Sequence, residues 1–162
     1  MKETEKGRHS LNMRSIFRCM MEDGYYPTFE ATHIEFGLDE NTAIVEYEDG
    51  ILAVRMFFSI EEEGYDLFLE ASNSTMMYSW SVKAVVLDDM KNLMFSCEIP
   101  CDTVKEFRKF FPRCTEMLRE TLKSHKSEMR KLILADHVAS TTIPATDDYS
   151  PMTGKDKSKI FS

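Results

Sequence analysis

The sequence predicts an α+β domain with the element order α-β-β-β-α-β-β-α, a five-stranded antiparallel sheet with its helices packed on one face. Three observations carry this reading. Apolar and polar residues alternate with period two over stretches of strand length, and turn signals such as Asp49-Gly50 separate them. A nine-position apolar stripe at helical spacing occupies the last third of the folded region. The composition, 43% hydrophobic with Phe 11, Tyr 6 and Trp 1, is rich enough for a packed core and excludes disorder throughout.

Residues 11–22 place Met13, Ile16, Phe17, Met20 and Met21 at three-to-four-residue spacing between Arg14, Arg18 and Glu22, an amphipathic helix that Asp23-Gly24 ends. Three strand-like runs follow, over residues 28–38, 42–48 and 51–60. The last is the most apolar, with Leu52, Val54, Met56, Phe58 and Ile60 on one face and Arg55 interrupting it. Asp39-Glu40-Asn41 and Asp49-Gly50 join the three into a meander. Glu61-Glu62-Glu63 suits the positive end of a helix dipole, so a short helix is expected over residues 65–77 with Phe68, Ala71 and Met76 inward. A second hairpin pairs residues 79–87, with Trp80, Val82, Ala84 and Val86 on one face, and residues 92–101, with Leu93, Phe95, Cys97, Ile99 and Cys101 on one face. Asp102-Thr103 then caps the longest helix, whose stripe is Val104, Phe107, Phe111, Cys114, Leu118, Leu122, His125, Met129 and Leu132. Pro112 lies inside it and is expected to kink or split it.

At 162 residues the chain has room for one domain of ordinary size. The expected division is a flexible N-terminus over residues 1–10, one α+β domain over 11–135 and a flexible tail over 136–162, where the periodicity stops. No apolar run follows Met1, no stretch approaches the length of a membrane span, and Cys19, Cys97, Cys101 and Cys114 show no C-x-x-C spacing. A cytoplasmic protein with reduced, buried cysteines is expected.

Lys+Arg 20 against Asp+Glu 28 leaves a net charge of −8, which argues against nucleic acid or an anionic membrane as partner. The charge is unevenly spread. Residues 23–90 hold 15 acidic side chains and two basic ones, Arg55 and Lys83, for −13, whereas residues 91–135 hold ten basic and six acidic, for +4. This polarity reads as an acidic sheet surface that attracts a basic partner segment, or as a solvated face partly neutralised by the terminal helix.

The second hairpin, Val82-Lys83-Ala84-Val85-Val86-Leu87-Asp88-Asp89-Met90-Lys91-Asn92-Leu93-Met94-Phe95, followed by Glu98-Ile99-Pro100 and a capped helix, resembles the YbjN family, whose fold is shared with type III secretion chaperones. The earlier hairpin around Asp49-Gly50 suits the same family. The resemblance spans residues 11–134 and implies a bacterial, chaperone-like or regulatory binding module, often a homodimer, with no catalytic signature.

Candidate sites follow from residue chemistry. Met77, Tyr78 and Trp80, large side chains at an element junction, are the expected binding contacts. The 12 methionines read first as core filling; an exposed subset such as Met77, Met90 and Met94 points instead to an adaptable binding surface. His125 is expected to be a satisfied core histidine. Cys97 and Cys101 lie too far apart along a strand for a disulfide, and neither Glu61-Glu62-Glu63 nor Asp88-Asp89 matches a calcium loop, so no metal or cofactor is expected. No glycine-rich phosphate cradle or nucleophile elbow is present. The leading expectation is a non-enzymatic protein-interaction module. The alternative, a small hydrolase or transferase using a carboxylate such as Glu46 or Glu98, requires a deep pocket holding two acids of raised pKa.

Overall fold

A computed structural model describes residues 10–77, 82–137 and 150–151. Helix α1, Met13–Glu22, opens on a reciprocal cap: the Ser15 N–H donates to Asn12 Oδ1 at 2.8 Å and the Asn12 N–H donates to Ser15 Oγ at 2.9 Å. The chain leaves the helix at Gly24, whose φ of 83° an L-residue adopts only with strain.

The strands are β1 (Thr28–Phe29), β2 (Ile34–Leu38), β3 (Asn41–Glu48), β4 (Ile51–Ser59), β5 (Val82–Val86), β6 (Asn92–Pro100) and β7 (Ser150–Pro151). A single 3-10 turn, Glu62–Gly64, and helix α2, Tyr65–Met76, separate β4 from β5, and helix α3, Val104–His137, follows β6. The antiparallel sheet runs β1-β2-β3-β4-β6-β5, with β7 added on β4. The fold class expected from the sequence is therefore present, but with six strands in the main path instead of five. The difference lies in residues 28–38. Residues 30–33 form a tight loop, closed by the Glu30 N–H donating to the His33 carbonyl at 2.9 Å, and the halves on either side pair with each other. What reads as one β-rich run is a small hairpin.

The helices cover one face of the sheet. Their core includes Phe36, Phe107 and Phe111, with Tyr25 edge-on to Phe111 at 5.0 Å and Phe107 stacked on Phe111 at 4.9 Å. The start of α3 is tied to the β3–β4 hairpin by two bonds and to the segment before α1 by a third. Tyr47 donates its hydroxyl to the Cys101 carbonyl at 2.7 Å, the Cys101 N–H donates to Gly50 O at 2.9 Å, and the Leu11 N–H donates to Asp102 O at 3.0 Å.

Helix α3 differs from expectation in two details. It is not split at Pro112: one helix runs through the proline, which lies on its exposed side. Its final turn buries Ile133 at 6% exposure and leaves Leu132 half-buried. The expected stripe advances 28 residues in eight steps, about 3.5 per step, and a straight helix advances about 3.6, so the inward face moves on by one residue over that length. All four cysteines are free and buried, and burial pushes the Cys101 thiol up to about 11.

His125 is the polar exception in the core. It is fully buried, its Nε2 lies 2.9 Å from Ser72 Oγ, and its ring stacks near Phe68 and meets Phe95 edge-on at 5.3 Å. Loss of solvation lowers its pKa from 6.5 to about 4. Between those values the unfolded chain takes up a proton that the folded chain refuses, so stability falls as pH drops through that window. Chemical denaturation should show a loss of about 2 kcal/mol between pH 7 and pH 5 from this group. In His125→Gln that slope should flatten; an unchanged slope refutes the assignment.

Candidate functional site

Period-two alternation sends half of each strand's side chains away from the helices. The pairings Glu46↔Ala53, Ile44↔Arg55, Ala53↔Glu98, Arg55↔Ser96, Phe57↔Met94 and Lys83↔Ser96 place these residues together on the second face of the sheet. No helix covers this face among the described residues, and it divides into a charged half and an apolar half.

Arg55 organises the charged half. Its Nη1 donates to Glu46 Oε1 at 2.7 Å, its Nη2 to Glu98 Oε1 at 3.1 Å and its Nε to Ser96 Oγ at 3.0 Å. The Ser96 hydroxyl donates to Glu98 Oε1 at 3.1 Å, and Lys83 Nζ stands 3.5 Å from Glu98 Oε2. The guanidinium thus bridges β3, β4 and β6 with a planar donor fork that a lysine does not possess. Hydrogen bonding to Arg55 holds the Glu98 carboxyl below the usual carboxylate range, against the opposing effect of partial burial. Beyond the network the surface opens into a depression of about 250 Å³ in which Glu48 and Asp49 join Glu46 and Glu98.

The apolar half is a small second cluster. Ile44 and Phe57 are exposed by only 2% and 8%, and Leu87 and Met94 pack against them. A separate apolar groove of about 420 Å³ lies on the helical side, where Ile99 meets Phe110, Cys114 and Met117 of α3.

Of the contacts expected from sequence, Met77 sits just past the end of α2 with 80% of its surface exposed, away from this face. Tyr78 and Trp80 lie outside the described residues. Met90 is 39% exposed, whereas Met94 is half-buried against Ile44 and Phe57, so of the three methionines expected at the surface only Met77 and Met90 are exposed. The two carboxylates named for a possible enzyme, Glu46 and Glu98, do come together, flanking Ala53 on neighbouring strands. Their setting is the opposite of what acid catalysis asks. The depression is shallow, and Glu98 is held ionised by Arg55 instead of protonated by burial. Arg55 is not among the contacts expected from the sequence. Its signal was a lone cation in the most apolar run, on the off-stripe positions, inside a segment of 15 acids. Among the described residues no group of three His, Cys, Asp or Glu side chains stands close enough to hold a metal ion, and no helix is long and apolar enough to cross a membrane. Asp89 is occupied with its own turn, accepting from the backbone N–H groups of Lys91 and Asn92.

The architecture has counterparts among solved structures. YbjN from E. coli superposes with a TM-score of 0.62 and 11% identity, over 75% of this chain and 94% of that one. An uncharacterized protein from Methanothermobacter thermautotrophicus superposes with a TM-score of 0.51 and 12% identity, over 75% and 99%. The chain has a YbjN-like α+β fold. No family model matches the sequence, and no curated protein matches it.

Removing the guanidinium should expose its role. In Arg55→Met, Glu46 and Glu98 lose their shared cation, and the Glu98 pKa followed by NMR should rise into or above the ordinary carboxylate range. Stability at neutral pH should fall by about 1 kcal/mol and be regained as the carboxylates protonate. A Glu98 pKa that stays low in this variant refutes the bridging role.

Proposed function

We propose that this chain is a non-enzymatic interaction module whose uncovered sheet face receives a protein segment carrying basic side chains next to apolar ones. The observation that carries the reading is the juxtaposition on that face of a carboxylate-rich depression and the Ile44–Phe57–Leu87–Met94 cluster. An extended or amphipathic segment with alternating lysine or arginine and large apolar residues matches both halves at once. The basic groups would meet the outward lone pairs of Glu46, Glu48 and Glu98, and the apolar ones would extend the cluster around Met94.

Two further points favour this reading. Arg55 holds the Glu46 and Glu98 side chains in place and favours the ionised form of Glu98, so part of the surface is ordered before the partner arrives and less side-chain entropy remains to be lost. YbjN is described as a candidate transcription regulator, a description compatible with a regulatory binding role here. An acidic face supports a protein partner and not nucleic acid.

The test is titration of a short synthetic peptide of alternating lysine and leucine residues into the full chain, followed by calorimetry and by backbone amide shifts. Binding that perturbs β3, β4 and β6 on the open face and weakens with salt is the expected result. Glu46→Lys together with Glu98→Lys should weaken it about tenfold or more. Binding elsewhere, or binding that the double variant leaves unchanged, overturns the proposal.

A further inference from the structure

The open face also constrains the conformation of the segment it receives. Strand β4 runs down its middle and is hydrogen-bonded on both edges, to β6 from Ile51 to Ser59 and to β3 from Ile51 to Met56. An extended segment laid on β4 therefore finds no ladder to join. Its peptide groups stay bonded to water, and only every second side chain reaches the surface. A helix satisfies its own peptide groups and presents a continuous stripe of side chains.

The relief of the face suits a helix in width and in length. Ala53, with its short side chain, forms the floor of the charged half. Glu46 on β3 and Glu98 on β6 stand on either side of it, two strand spacings or about 10 Å apart, close to the diameter of a helix with its side chains. Along β4 the apolar surface begins at Ile51, which lines the depression and is 41% exposed, and it continues to the row that Phe57 shares with the half-buried Met94. That distance is roughly 20 Å, the length of about 13 helical residues. Arg55 is already shared between Glu46 and Glu98, and the depression still carries four carboxylates against this one cation, 1 − 4 = −3. Cations of a partner thus belong on the outer sides of Glu46 and Glu98 and toward Glu48 and Asp49.

We propose that the partner segment is an amphipathic α-helix of three to four turns lying along β4, its apolar stripe running from Ile51 over Ala53 to Met94 and its basic residues on both flanks of that stripe, level with Glu46 and Glu98. This rests on the reading of the face as a site for basic segments and adds the conformation and residue pattern of the partner. Lysine or arginine stems lie beside the stripe and carry their charged ends out to the carboxylates. The bound helix forms a third layer, with the sheet between it and helices α1, α2 and α3.

Two synthetic peptides of about fourteen residues with identical lysine–leucine composition test this. One has its leucines at helical spacing, bordered on both sides by lysines; the other alternates the two residues strictly. Each is titrated into the full chain by calorimetry, with shifts followed on the chain's amides and on the carbon-labelled peptide. The helical-pattern peptide should bind about tenfold more tightly, take helical Cα shifts when bound and perturb β3, β4 and β6 on the open face. A proline at its centre should weaken binding about tenfold or more. Ile51→Ser, at an exposed position, should weaken it about fivefold. Equal or tighter binding by the alternating peptide, a bound peptide that is not helical, or a proline without effect overturns the proposal and leaves the docking face standing. Binding of neither peptide removes the docking reading as well. Shifts confined to the outer edge of β5 mean strand addition, and shifts centred on the groove at Ile99 and Phe110 mean docking on the helical side; either overturns the proposal.

Discussion

Strand β4 is hydrogen-bonded on both edges, to β6 along its whole length and to β3 from Ile51 to Met56, and it is buried on both faces at nearly every position. Leu52, Val54, Met56 and Phe58 enter the main core beneath the helices, and Ala53, Arg55 and Phe57 form the spine of the opposite face. A strand in this position cannot slip by one residue. Such a slip would drive Arg55 into the aromatic core and expose the four apolar side chains, and the register of the whole sheet follows from that penalty. The clamp at Arg55 and the second cluster around Phe57 both inherit their geometry from it.

The charge polarity of the sequence acquires a structural meaning from the same arrangement. Part of it is neutralised internally: Arg119 of α3 pairs with Asp39 in the β2–β3 turn at 3.0 Å, and Arg108 pairs with Glu22 at the end of α1. These exposed pairs each contribute little to stability, but they show the basic helix answering acids at the rim of the sheet. Among the described residues the open face has no helix to answer it. Its balance comes from Arg55 and Lys83, the two basic residues of the acidic segment, and four carboxylates around the depression still exceed them. The reading as a solvated acidic surface and the reading as an attractive one thus apply to different parts of the molecule.

How legible this was depends on the kind of signal. The cap at Asp102-Thr103, the Asp49-Gly50 hairpin and the placement of His125 inside the core rest on interactions within a few residues or on periodicity, and the sequence displays both. Residues 28–38 misled because β-branched and aromatic content marks a strand without saying where a four-residue loop interrupts it. Pro112 leaves a kink or a split open in the sequence, and the packed helix excludes the split. The binding contacts expected at Met77, Tyr78 and Trp80 were chosen by residue type at a junction. The face that the described helices leave uncovered is assembled from Ile44, Arg55, Ser96 and Lys83, which are dispersed over more than fifty positions of sequence and meet only through strand pairing.

By itself the sequence determined the fold class, the three helices and their placement around two strand regions, and the core-facing side of β4, β5 and β6, because these depend on side-chain period and on short-range turn and cap chemistry. It also carried the polarity of charge. The tertiary structure decided the order β1-β2-β3-β4-β6-β5, the meeting of two glutamates on one guanidinium and the addition of Ser150 and Pro151 beside β4. Those are long-range pairings. They are selected by how a complete sheet buries both faces of its central strand, and no local stretch of residues encodes that condition.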